Sequence, residues 1–123
     1  MRVLLAEGQP RVRSALRLLL EQTPAIDVVD ETAKSDEVLA KVEECSPDIV
    51  LIDWELPGLR AADLIPELHT LHSELLIVVL SSRPESRGAA LAAGSNAFIS
   101  KGDMPERLLD TIVNCERRQA RND

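Results

Sequence analysis

The sequence predicts a doubly wound α/β domain in which five parallel strands and five helices form a (βα)5 sandwich. Five short apolar runs alternate strictly with longer segments of helical periodicity. The run from Leu75 to Leu80 contains no polar residue, and strands that are apolar on both faces are typical of a parallel sheet covered on both sides. A chain of 123 residues accommodates one such domain, which we predict to span residues 1–123.

The first third of the chain predicts two strand–helix units. The first strand is Val3–Ala6, and a helix over Pro10–Gln22 follows, with its apolar residues on one stripe. The second strand begins near Ile26. Ser35 is predicted to cap the second helix with its hydroxyl, and Val38 lies on the inner face of that helix.

The rest of the chain predicts three further units. The elements are a strand over Ile49–Asp53, a helix over Leu64–Leu71, a strand over Leu75–Leu80, a short Ala-rich helix over Glu85–Ala93 and a strand over Ala97–Ser100. The last helix is predicted to begin at Asp103, which forms a capping box with Glu106. Residues 117–123 are interpreted as a polar tail or the start of a linker.

Charge and hydropathy exclude several classes of function. Acidic residues outnumber basic ones by 21 to 14, so the net charge of −7 argues against direct binding of nucleic acid or of an anionic membrane. No apolar run approaches the length of a membrane span, and the N-terminus turns polar too early for a signal peptide. We therefore expect a cytoplasmic protein. Cys45 and Cys115 lack metal-ligand spacing and are interpreted as reduced thiols without a function.

Polar side chains follow the apolar runs at the points where the predicted strands end. In an open parallel sheet these ends lie at one edge, where ligands bind. The set suits an anionic group carried by Asp53, because the Lys101 ammonium and the Ser81 hydroxyl can contact phosphate oxygens. Glu7 is a candidate Mg²⁺ ligand. The strand-end residues are Glu7, Gly8, Asp53, Ser81, Ser82, Ser100 and Lys101.

The ordered motifs resemble a known family over nearly the whole chain. The segments "VLLAEGQPRVRSALRLLLE", "PDIVLIDWELPG", "VVLSS" and "LAAGSNAFISKGDMPERLLDTI" are similar to the receiver domain of two-component response regulators, of the type that precedes a helix-turn-helix output domain. The resemblance implies a flavodoxin-like fold, Mg²⁺ as cofactor and a histidine kinase as partner.

The resemblance also implies roles for individual residues. Asp53 corresponds to the phosphoacceptor, Ser81 to the hydroxyl that follows the phosphoryl group, and Lys101 to the family lysine. Phe98 corresponds to the aromatic switch position. Glu55 corresponds to the position whose backbone carbonyl ligates Mg²⁺, so the implied metal set is Glu7, Asp53 and Glu55.

One position departs from the family pattern. The family carries two acids after the first strand, and here Glu7 is followed by Gly8, which has no side chain to contact a metal. Removing one carboxylate near a dication costs on the order of one to a few kcal/mol at an effective dielectric near 20. The sequence therefore predicts weak Mg²⁺ binding and slow or absent phosphorylation; the alternative is that Gly8 only relaxes the loop.

Several interpretations of function remain open. The first is a switch phosphorylated on Asp53, and the second is a pseudo-receiver, an interaction module that works without phosphorylation. An enzyme of the aspartyl-phosphate phosphatase type, suggested by Asp53-x-Glu55, is rejected because the chain has no room for a cap. An output domain or a second copy is expected to bind the face of helix four, strand five and helix five. Measured against the family spacing from Ser81 to Lys101, helix four is about two residues short. The shorter element on this face argues against the dimer that is usual in the family.

Overall fold

The structure, a computed structural model, describes the backbone of residues 1–122 and the side chains of residues 1–118. Strands and helices alternate along the chain, and short 3-10 turns precede three of the helices. The elements are β1 (Arg2–Ala6), α1 (Pro10–Glu21), β2 (Asp27–Thr32), α2 (Val38–Cys45), β3 (Ile49–Asp53), α3 (Ala61–Leu71), β4 (Leu76–Ser81), α4 (Arg87–Ala92), β5 (Ala97–Ser100) and α5 (Glu106–Asn122).

The five strands form one parallel sheet in the order β2-β1-β3-β4-β5. The strand order reverses at β1 and β3, so the carboxyl ends of these two strands flank the position where ligands bind in such sheets. The predicted doubly wound (βα)5 fold is confirmed.

Helices cover both faces of the sheet. Leu16 of α1 and Leu108 of α5 pack in a core with alternate residues of the strands, among them Leu51. On the opposite face, α2, α3 and α4 supply the second core, in which Ile65 packs near Ile52. Every residue of β3 and β4 is buried, as expected for central strands apolar on both faces.

Most predicted elements are confirmed, and their bounds differ by a few residues. The third helix begins at Ala61, three residues before the predicted Leu64. The fourth is split into a 3-10 turn over Pro84–Ser86 and the short α4. The segment predicted as a polar tail continues α5 as far as Asn122. No helix in the described part of the chain combines the length and hydropathy needed to cross a membrane.

The predicted cap at Ser35 is wrong. Ser35 lies inside a 3-10 turn that precedes α2, and its hydroxyl caps neither element. Instead, Ser35 Oγ donates to the backbone carbonyls of Leu59 at 2.6 Å and Pro57 at 3.2 Å. Gly58 has φ +111°, and a Cβ there would lie 2.7 Å from Ser35 Oγ, so the loop after β3 requires glycine to close over this hydroxyl.

The predicted cap at Asp103 is also wrong in position. Asp103 ends a 3-10 turn that begins at Lys101, and α5 begins three residues later, at Glu106. The Met104–Pro105 peptide bond, which lies between the turn and α5, is cis. The chain therefore makes a separate turn at the end of β5, and Lys101 opens that turn.

Candidate functional site

The carboxyl edge of the sheet brings together the polar residues that follow the strands. Glu7 comes directly after β1, Asp53 ends β3, Ser81 ends β4 and Lys101 comes directly after β5. The first three of these side chains are buried. Contacts join Glu7, Asp53 and Lys101 in one cluster, and Glu55 joins Ser81 to it.

Lys101 lies between two carboxylates. Its Nζ is 2.5 Å from Glu7 Oε1 and 3.4 Å from Asp53 Oδ2. Burial alone would lower the pKa of Lys101, but the hydrogen bond with Glu7 and the charge of Asp53 outweigh burial and raise it. Lys101 is therefore a fixed cation inside the acidic cluster.

Glu7 is the acid most affected by its surroundings. It is fully buried, and burial, together with a hydrogen bond to Asp53, raises its pKa from 4.5 to about 7; Lys101 offsets this only in part. The Gly8 N–H donates to Glu7 Oε2 at 3.0 Å. Near neutral pH, the Glu7 carboxyl is therefore protonated in a large fraction of molecules.

The pKa of Asp53 is lowered, whereas that of Glu7 is raised, although both carboxyl groups are buried. Burial alone would raise the pKa of Asp53, but hydrogen bonds from Glu7 and from the Glu55 N–H, together with the charge of Lys101, lower it. The Glu55 N–H lies 3.1 Å from Asp53 Oδ1. Asp53 is therefore the ionised member of the Glu7–Asp53 pair.

The carboxylate of Glu55 accepts a hydrogen bond from the hydroxyl of Ser81. Ser81 Oγ donates to Glu55 Oε1 at 2.7 Å and accepts the Arg83 N–H at 3.0 Å. The sequence predicted a role only for the backbone carbonyl of Glu55, and the contact of its side chain was missed. A carboxylate two residues past the end of one strand, with a hydroxyl at the end of the next, is the only sequence signal for this contact.

The space beside Gly8 is narrow. A Cβ at this position would lie 3.0 Å from Pro57 Cδ and 3.7 Å from the Ala33 carbonyl oxygen. The loop after β3 therefore approaches the loop after β1 to a distance at which a side chain at position 8 requires Pro57 to shift by a few tenths of an ångström.

Comparison with known proteins identifies the family. Residues 3–113 match the profile of the response regulator receiver domain. The chain belongs to this family. Nitrate/nitrite response regulator protein NarL of Escherichia coli is 26% identical to the receiver domain described here over 112 residues, which are 89% of this chain and 52% of NarL. The uncharacterized transcriptional regulatory protein YhcZ of Bacillus subtilis is 32% identical over 113 residues, or 90% and 53% of the two chains.

Solved structures agree with this assignment. The crystal structure of a LuxR-family two-component response regulator from Aurantimonas superposes with a TM-score of 0.85 at 27% identity, covering 92% of this chain and 82% of the other. The isolated receiver domain of RcsB from Salmonella enterica gives a TM-score of 0.86 at 23% identity, covering 95% and 88%, which supports the fold alone. The receiver domain spans about half the length of the curated relatives it matches.

Receiver domains generally bind Mg²⁺ at this acidic edge, where the acidic side chains of this one are engaged in contacts with Lys101 and Ser81. Among the described residues, no three His, Cys, Asp or Glu side chains are grouped so that they could hold a metal ion. Gly8 provides no donor, Glu7 is hydrogen bonded to Lys101, and the Glu55 carboxylate is occupied by Ser81. The ammonium of Lys101 holds the two acids together in this arrangement.

Other candidate residues differ in how far the structure bears on them. Phe98 is 5% exposed, in the core shared by α3 and α4; its role as a switch stays a prediction. Trp54 is partly buried and packs against the same core. His69 and His72 are both half-buried, and the Nε2 atom of each is shielded from solvent.

Proposed function

We propose that this receiver domain accepts a phosphoryl group from a histidine kinase on Asp53, as part of a two-component signalling system. The observation that carries the proposal is the state of Asp53. It is buried at the end of β3, its pKa is lowered, and the ammonium of Lys101 lies 3.4 Å from it. An ionised carboxylate beside a fixed cation suits attack on a phosphorus atom and the charge that then accumulates.

The chemical step follows from these groups. A carboxylate oxygen of Asp53 attacks the phosphorus of a phosphohistidine, a P–O bond forms and the P–N bond breaks. The electron pair of the broken bond returns to the imidazole, which takes up a proton. Because Asp53 is already ionised, no base is needed. Lys101, 3.4 Å from Asp53, and Ser81, which ends the neighbouring strand, are the side chains that we expect to contact the added charge.

We propose that the acidic metal site is impaired and that Mg²⁺ binds weakly. Gly8 removes one carboxylate, and Glu7 is held by Lys101 and neutralised by its raised pKa. A protonated carboxyl is a poor ligand for Mg²⁺, which prefers anionic oxygens. Phosphorylation of Asp53 is accordingly slow.

A second candidate is a pseudo-receiver, a module that binds its partners without phosphorylation. It is favoured by two internal contacts. Lys101 and Ser81, the groups that would contact a phosphoryl, are already hydrogen bonded to Glu7 and Glu55. The cluster is therefore stabilised without an added anion.

The partners we propose follow from the family. The matched relatives are about twice as long as this chain, so we propose that the receiver domain works in the cytoplasm with a helix-turn-helix output domain. The output domain, and not the acidic receiver domain, contacts nucleic acid. The proposed contact surface for the output domain or a second copy is formed by α4, β5 and α5, and the shortness of α4 weakens an ordinary dimer there.

The proposal is tested by chemical phosphorylation. The protein is incubated with a small-molecule phosphodonor and Mg²⁺, and intact mass is recorded for wild type and Asp53→Ala. We expect one hydroxylamine-labile adduct in wild type and none in the variant. An adduct that persists in Asp53→Ala moves the role to another residue, and no adduct in wild type favours the pseudo-receiver.

A further inference from the structure

The side chain of Glu55 has no part in the proposed phosphoryl transfer. It nevertheless accepts a hydrogen bond from Ser81, the hydroxyl that would contact a phosphoryl group on Asp53. Ser81 is fully buried, and its hydroxyl donates to Glu55 Oε1 at 2.7 Å. A hydroxyl has one proton to donate, and the Arg83 N–H already uses one of its lone pairs at 3.0 Å. The Arg83 carbonyl oxygen lies farther from Ser81 Oγ, at 3.4 Å, and is neutral, so in the unmodified protein the carboxylate of Glu55 is the favoured acceptor of the Ser81 proton.

Glu55 is also attached to the phosphoacceptor. Its backbone N–H donates to Asp53 Oδ1 at 3.1 Å, so one residue contacts the acceptor through its main chain and the hydroxyl through its side chain. In the register of β3 and β4, Asp53 pairs with Leu80, and Ser81 is the next residue. An anion on Asp53 and the Glu55 carboxylate are therefore rival acceptors for one proton.

We propose that Glu55 is a positioning residue that holds the Ser81 hydroxyl until an anion on Asp53 displaces it. The gating role rests on the proposed function, since it needs an anion at Asp53. A hydrogen bond to a carboxylate is stronger than one to a neutral acceptor, and the burial of Ser81 excludes water as a substitute partner. To be contacted by Ser81, an anion on Asp53 must therefore attract the Ser81 hydroxyl more strongly than the Glu55 carboxylate does.

The first experiment separates the hydrogen bond from the charge of Glu55. Glu55→Gln keeps an acceptor oxygen without the charge, and Glu55→Ala removes both. Each is made with Ser81 and with Ser81→Ala, in a Gly8→Asp background that supplies the missing acid. The probe is beryllofluoride with Mg²⁺, followed by the emission of Trp54, the single tryptophan.

With Ser81 present, we expect Glu55→Ala to bind beryllofluoride about fivefold more tightly than Glu55→Gln, the size of one ordinary hydrogen bond. With Ser81→Ala, the two variants bind equally, because there is no hydroxyl left to hold. Equal affinities with Ser81 present overturn the proposal. A difference that persists in Ser81→Ala also overturns it.

The second experiment needs no anion and so separates failure of this inference from failure of the proposed function. The free energies of unfolding of wild type, Glu55→Ala, Ser81→Ala and the double variant give the coupling between the two side chains. We expect the double variant to be about fivefold more favourable in its folding equilibrium than additivity predicts. Additive effects overturn the hydrogen bond itself. If coupling is present but no variant takes up beryllofluoride, both the gating role and the proposed function are wrong.

Discussion

The ammonium of Lys101 lies 2.5 Å from Glu7 Oε1, closer than its 3.4 Å distance to Asp53 Oδ2. Lys101 is therefore bound more closely to Glu7 than to Asp53. Glu7 in turn has a pKa of about 7, so the charge of this cluster changes in the physiological range of pH. Four predictions follow from these contacts and from the residues around them.

The first prediction concerns pH and stability. The pKa of Glu7 is raised on folding, so the folded state binds its proton more tightly than the unfolded state does. Stability from this group is fully present below pH 4.5 and is lost as pH rises through about 7. The full loss is on the order of 3 kcal/mol. Urea unfolding across this window measures it, and Glu7→Gln, which mimics the neutral acid, should lack this loss.

Lys101→Met provides the matched control for the direction of the effect. Lys101 lowers the pKa of Glu7, so its removal should move the loss of stability to higher pH. The same dependence on pH in wild type and in Glu7→Gln would show that Glu7 does not titrate in this window.

The second prediction concerns Mg²⁺. Gly8→Asp restores a carboxylate, and we expect half-saturation at a Mg²⁺ concentration at least roughly tenfold lower than in wild type. Trp54 emission reports binding, because Trp54 adjoins Asp53. Gly8→Ala is the control, since it meets Pro57 in the same way without adding charge. Saturation of wild type and Gly8→Asp at the same low concentration would show that the missing acid is irrelevant.

The third prediction concerns Phe98. The ring has no hydroxyl to hold it at the surface, so its burial is favoured without phosphorylation. Phe98 is the single phenylalanine, and 4-fluorophenylalanine therefore gives one ¹⁹F resonance. We expect that resonance, and the amide spectra of residues 97–111, to change little when beryllofluoride binds to Gly8→Asp, with binding verified by Trp54 emission. Large shifts over this segment would contradict the prediction and indicate a conformational switch that depends on phosphorylation.

Much of the fold could be predicted from the sequence, because strands buried on both faces are written as continuous apolar runs. The third strand, Ile49–Asp53, was predicted without error. The helix cap at Ser35 was predicted wrongly. Its hydroxyl donates to the carbonyls of Leu59 and Pro57, which lie more than twenty residues later in the chain, and a local sequence pattern does not show that these residues come close.

The members of the site were predicted for the same reason, since strand ends meet at one edge of a parallel sheet. Which of these residues contact one another was not predicted. Lys101 binds Glu7, which lies 94 residues away in the sequence, and Ser81 binds the side chain of Glu55. Such choices depend on side-chain rotamers and burial, and a strand pattern carries no information about either.

The fourth prediction tests the central claim, that Asp53 accepts a phosphoryl group at a site limited by the missing acid. The measurement is the rate of adduct formation by intact mass, with the same phosphodonor and Mg²⁺ concentration, in wild type, Gly8→Ala, Gly8→Asp and Gly8→Asp with Asp53→Ala. We expect slow modification in the first two, a rate at least roughly tenfold higher in Gly8→Asp, and none without Asp53. Wild type reacting as fast as Gly8→Asp, or an adduct in the variant that lacks Asp53, would contradict the claim.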